Sequence, residues 1–205
     1  MKEEVRSIQQ APTTESDSRR ISGYAVVWNS PSRVLRDKGV AFIETIARGA
    51  ITDELLAKSD VKCVFNHNKE SLLARSNKGA GTLSLELDEV GLRYAFDAPH
   101  TVDGDKVLEL VRRGDIAGSS FKFGTIGGTG VRYYKEAGVL HRAVDRVDYL
   151  GDVSPVIDPA YTETSVEARS WEAPEEKMEE PRKTEQREEG LTESAHIVHR
   201  ILLGL

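Results

Sequence analysis

Two adjacent serines, Ser119 and Ser120, follow Gly118 in the stretch RGDIAGSSFKF and run directly into a Phe-Lys-Phe alternation. A strand needs neither hydroxyl. Serine becomes a nucleophile only when a neighbouring base takes its proton, and imidazole is the usual base near neutral pH. Alternation along the strand puts Phe121 and Phe123 on one face and Ser120 with Lys122 on the other. Ser119 falls on the Phe side, nearer the glycine, and is the better structural serine. Ser120 points into whatever space lies opposite the aromatics. Spacing alone favours the plainer reading, in which both serines satisfy a turn after Gly118.

Five histidines are available as bases. His67 ends the apolar stretch VKCVF and is framed by asparagines in NHN, which puts a base at a strand end with polar neighbours to orient it. That placement fits a plain turn equally well. His100 follows Pro99 in a loop and His141 stands beside Arg142 in a strand; both read as solvated polar residues. His196 and His199 lie three apart near the C-terminus without further ligands, so neither a metal nor a cofactor is expected.

Other patches carry less. The glycine-rich GTIGGTG, residues 124–130, lacks the Lys-Ser/Thr ending of a phosphate loop and opens no helix, so it reads as a loop between strands. Arg-Gly-Asp at 113–115 reads as a helix stop at Gly114, and Asp158 as part of an Asp-Pro turn. Cys63 reads as a buried strand thiol. No Gly-x-Ser-x-Gly elbow is present, which disfavours an esterase or lipase.

The elements that must position these groups are mostly strands. ISGYAVVWN and VKCVFNH are β-branched and aromatic and end in turn formers. In TLSLELDEVGLRYAF, Leu83, Leu85 and Leu87 alternate with polar residues, DEVG turns the chain, and Leu92, Tyr94 and Phe96 alternate again. That is a β-hairpin with one buried face. Further strands are expected in SSFKFGTI, VRYYKE and VLHRAVDRVDYL. Two helices interrupt them. ITDELLAKS has Thr52 as a cap with Asp53 and Glu54 early. TVDGDKVLELVRRGD has an apolar side, Arg112 and Arg113 in its last turn, and Gly114 just past the end.

The chain has 205 residues and a net charge of −6, and 30% of its residues are charged. Residues 171–190 hold eight Glu against four Lys or Arg, so −4 of that charge sits in one segment. The near-neutral remainder argues against nucleic acid as a partner. A single cysteine excludes an internal disulfide and fits a reducing compartment. The N-terminus lacks the apolar core of a signal peptide, and no apolar run approaches membrane-spanning length, so no membrane is expected. We expect a loose leader over 1–20, a folded domain over 21–169, a charged disordered linker over 170–190, and a short amphipathic helix over 191–205. A helix that short is marginal in water and is expected to dock on a partner or on its own domain.

Five blocks taken in order, FIETIARGAI, VFNHN, GTLSLELDEVGLRYAFDAP, IAGSSFKF and VSPVIDPAY, resemble the prohead maturation proteases of tailed bacteriophages, over residues 23–166. The resemblance implies a serine endopeptidase with a closed or strongly curved β-barrel core related to the herpesvirus assemblin fold. Carried over by position, His67 would be the general base, Ser120 the nucleophile and Asp152 the third member. Relatives often carry Glu at that third position; Asp148 and Asp145 lie upstream on the same expected strand, and Asp148 is the reserve because an even shift along one strand keeps the same face. Gly118 and Ser119 would supply backbone N–H groups to the oxyanion. The substrates would be major capsid and scaffold proteins, and the chain itself, inside a procapsid in the host cytoplasm. Homodimers or higher self-association and a targeting role for 191–205 are further expectations. The rival from another class is a non-catalytic assembly module of the same fold.

Overall fold

The computed structural model describes residues 2–15 and 18–159. Along the chain run β1 (Lys2–Ile8), β2 (Thr13–Thr14), β3 (Arg20–Val27), β4 (Leu35–Asp37), β5 (Val40–Ile46), helix α1 (Asp53–Lys58) and β6 (Asp60–Val64). A 3-10 turn (Phe65–His67) leads to β7 (Leu72–Asn77), β8 (Ala80–Gly81), β9 (Leu83–Leu87), β10 (Gly91–Asp97) and helix α2 (Val102–Arg113). The chain continues through β11 (Gly118–Thr125), β12 (Val131–Glu136), β13 (Val139–Val144) and β14 (Tyr149–Val156).

The strands form three sheets, ordered β1-β11-β14-β6-β7-β8, β2-β3-β10-β9 and β12-β13-β5-β4. Among the described residues none of them closes on itself, so the barrel core of assemblin type expected from the resemblance is not formed there. The mostly β character with inserted helices holds. The physical reason is at the seams: β11 and β1 pack on β3, and β7 packs on β9, but these pairs share no ladder of backbone hydrogen bonds among the described residues. Side chains bridge the sheets there, and Ile21, Tyr94, Phe96, Phe121, Phe123 and Leu150 fill the space between them, fully buried.

A second correction concerns the N-terminus. The segment expected to be a loose leader carries β1, which pairs antiparallel with β11 from Lys2↔Thr125 to Ile8↔Ser119. Two of its inward positions, Glu4 and Arg6, are charged, which hides the strand from hydropathy. Glu4 is buried, and its carboxylate meets Arg142 of β13, while Arg6 meets Glu44 of β5 at 2.6 Å. The expected linker over 170–190 and helix over 191–205 lie outside the described residues.

Local chemistry explains the helices. Thr52 Oγ1 accepts from the Leu55 N–H at 3.2 Å, and Thr101 Oγ1 accepts from the Gly104 N–H at 3.1 Å. At the end of α2, Gly114 adopts φ 77°, ψ 16°, the left-handed cap that glycine takes without a Cβ clash. The hairpin pairs Leu92↔Leu87 through Phe96↔Leu83.

Candidate active site

Three strands of the largest sheet and the turn after one of them assemble the site. Ser120 lies on β11 directly opposite Ser154 of β14, and Lys122 lies opposite Asp152. Alternation turns Ser119, Phe121 and Phe123 toward the core, where the Ser119 hydroxyl meets Tyr94 Oη at 2.9 Å. Ser120, Lys122, Asp152 and Ser154 therefore share the other face. On the far side of β14, β6 runs parallel with Asp152↔Lys62 and Val153↔Cys63, and it ends in the turn that carries His67 over that face.

That turn is strained. Asn66 and His67 both take positive φ, 50° and 57°, where a Cβ costs about 1–2 kcal/mol per residue. Asn66 is held by its own side chain, whose Oδ1 accepts from the Ile157 N–H at 3.0 Å, just beyond β14. Asn68 closes the other side, accepting from the Glu70 N–H at 3.0 Å. The asparagines of the NHN motif thus fix the backbone that aims the imidazole.

The aim is close. His67 Nε2 lies 2.5 Å from Ser120 Oγ, and Nδ1 lies 2.7 Å from Asp152 Oδ1. Ser154 Oγ, which sequence reasoning missed, stands 3.2 Å from both His67 Nδ1 and Asp152 Oδ1. Lys122 Nζ is 3.6 Å from Asp152 Oδ2. The alternations Ser120-x-Lys122 and Asp152-x-Ser154 are the signals that could have found these two. Asp152 is 5% exposed and Ser120 0%, whereas the His67 side chain is 21% exposed. An imidazole bridging a hydroxyl and a buried carboxylate can carry a proton away from the hydroxyl and be steadied as a cation.

Other candidates fall elsewhere. Asp148, the reserve acid, is not on β14: the chain leaves the ladder between β13 and β14, and Asp148 Oδ2 accepts from the Ile126 N–H at 2.8 Å. Asp145 pairs with Arg132 at 2.5 Å. Gly118 and Ser119 lie within β11 and not in a loop: Ser119 is paired to both β1 and β14, and Gly118 to β14. His141 stacks on Tyr134 at 5.0 Å, His100 is exposed, and Asp158 is exposed beyond β14. Cys63 is buried beneath the site; burial, and then the Asp152 charge, push its thiol well up. His196 and His199 lie outside the described residues. Among the described residues no group of three His, Cys, Asp or Glu is placed to hold a metal, and no helix is long and apolar enough to cross a membrane.

A family model described as caudovirus prohead serine protease matches residues 4–180. No curated protein and no solved structure matches the chain.

Proposed function

The chain belongs to the caudovirus prohead serine protease family, and on that premise we propose that it is an endopeptidase that cleaves capsid and scaffold proteins, and itself, inside the procapsid in the host cytoplasm. The observation that carries this reading is the Ser120–His67–Asp152 chain of contacts at 2.5 and 2.7 Å.

In this reading Ser120 Oγ attacks the scissile carbonyl carbon while its proton passes to His67 Nε2. Asp152 accepts from Nδ1–H and steadies the imidazolium, with Ser154 and Lys122 holding the carboxylate in place. The tetrahedral intermediate collapses, and His67 gives its proton to the departing amine. Water then attacks the acyl-enzyme with His67 again as base, and Ser120 recovers its proton as the acid product leaves. For the oxyanion, successive amides of a strand point to opposite edges, so one of the Gly118 and Ser119 N–H groups faces the β1 edge of β11. Self-association inside the shell would concentrate enzyme and substrate, and residues 191–205 would carry the chain there.

The test is the intact mass of wild-type chain and Ser120→Ala, each incubated with capsid protein. Fragments in the wild type alone are expected. Identical, uncut chains in both would favour the non-catalytic assembly module. In the same assay, deletion of 191–205 is expected to lower incorporation into proheads and leave peptide cleavage in solution intact; unchanged incorporation would exclude the targeting role.

A further inference from the structure

Strand β1 stands where the chemistry needs room. Ser120 is completely buried, and its Oγ lies 2.7 Å from the Arg6 carbonyl oxygen as well as 2.5 Å from His67 Nε2. A serine hydroxyl has one proton. When that proton goes to Arg6, the imidazole does not receive it and the oxygen is not activated. With β1 in place the nucleophile is both covered and diverted.

Strand β1 is also built to leave. Among the described residues it is an edge strand whose one ladder partner is β11, and β11 stays paired to β14 without it. A cavity of about 420 Å³ runs along it, lined by Arg6, Ile8, Val26, Leu35, Glu44 and Phe121, so one side of the strand lacks close packing. Its anchorage is ionic. Glu4, Arg6, Glu44 and Arg142 form one network, with Arg6 bound to Glu44 at 2.6 Å and Arg142 bound to Glu4 at 2.7 Å. The network also pairs within each side: Arg6 touches Glu4 at 2.6 Å, and Arg142 touches Glu44. Withdrawal of β1 therefore takes Glu4 and Arg6 away as a pair and leaves Glu44 with Arg142, so no buried charge is stranded.

We propose that β1 is a displaceable occupant of a peptide-binding edge: the resting chain is closed by Lys2–Ile8, and an extended segment of a substrate protein pairs with β11 in its place, bringing a carbonyl to Ser120. An uncovered strand edge is a template for such pairing, with main-chain hydrogen bonds supplying affinity for any extended peptide. The proposal rests on the reading of Ser120 as the nucleophile.

The test locks the strand. Glu3 and Gly124 are cross-strand partners, so the full chain carrying Glu3→Cys and Gly124→Cys can be compared oxidised and reduced; the native Cys63 is buried. The readout is the rate at which a small fluorophosphonate modifies Ser120, followed by mass. Oxidation is expected to slow modification by at least about tenfold, because it removes the open minority state through which the probe enters. Arg6→Met, which leaves Glu44 its Arg142 partner, is expected to speed it several-fold. Equal rates in the oxidised and reduced chains overturn the proposal while leaving the nucleophile reading intact. Modification in none of these chains overturns the nucleophile reading, and the proposal with it.

Discussion

Asp152 and Asp148 separate two roles that the sequence left side by side. Asp152 reaches His67 at 2.7 Å, whereas Asp148 binds the Ile126 amide and lies 3.0 Å from Arg146. Under the proposed mechanism Asp152→Asn should lower peptidase kcat by about 10²–10⁴-fold, while Asp148→Asn should leave it near the wild-type value. Steady-state cleavage of one peptide by both variants is the check; equal losses would remove Asp152 from its role. Asp148 looked equivalent because VLHRAVDRVDYL reads as one strand, on which an even shift preserves the face. The break between Val144 and Tyr149 is set by distant partners: the Val147 amide bonds Ala50 and the Asp148 amide bonds Gly124. Those contacts leave no mark on local alternation.

Helix α2 shows how much an element owes to local chemistry. Its last-turn Arg112 and Arg113 and its stop at Gly114 stand where the sequence puts them, and the structure adds a cap at Thr101. A Cβ at Gly114 would meet nothing within 4 Å, so Gly114→Ala carries only the backbone cost of the left-handed conformation. Loss of about 1 kcal/mol of unfolding free energy is expected, with Gly114→Asn losing less. Urea unfolding of the three chains measures it, and an unchanged midpoint for the alanine variant would contradict the assignment. Strand β1 is the opposite case. MKEEVRSI places the charges of Glu4 and Arg6 inward, and its strand character appears only when Glu44 and Arg142 neutralise them. Side-chain partners 38 and 138 residues away decide that element.

The same network sets a stability expectation for the whole molecule. Burial alone would raise the Glu44 carboxyl, but the charges of Arg6 and Arg142 outweigh it and hold it below the usual carboxylate range. A depressed folded value gives stability that is present above the ordinary glutamate pKa of about 4.3 and lost as pH falls through the folded value. Urea midpoints should therefore fall below about pH 5, and Glu44→Gln should flatten that fall while lowering stability at neutral pH. Arg142→Met should cost about 3 kcal/mol, because it leaves the buried Glu4 and Glu44 carboxylates to share Arg6 alone; a loss within error of zero would contradict the pairing. The hairpin, both helices and the ordered blocks that resemble the family were written in residues near one another, where alternation, caps and turn chemistry act over a few positions. Only the tertiary structure decided that the sheets stay open, that residues 2–8 cover Ser120, and which aspartate faces His67. Each of those outcomes depends on which distant backbone edges and charges meet, and a linear pattern carries no record of that.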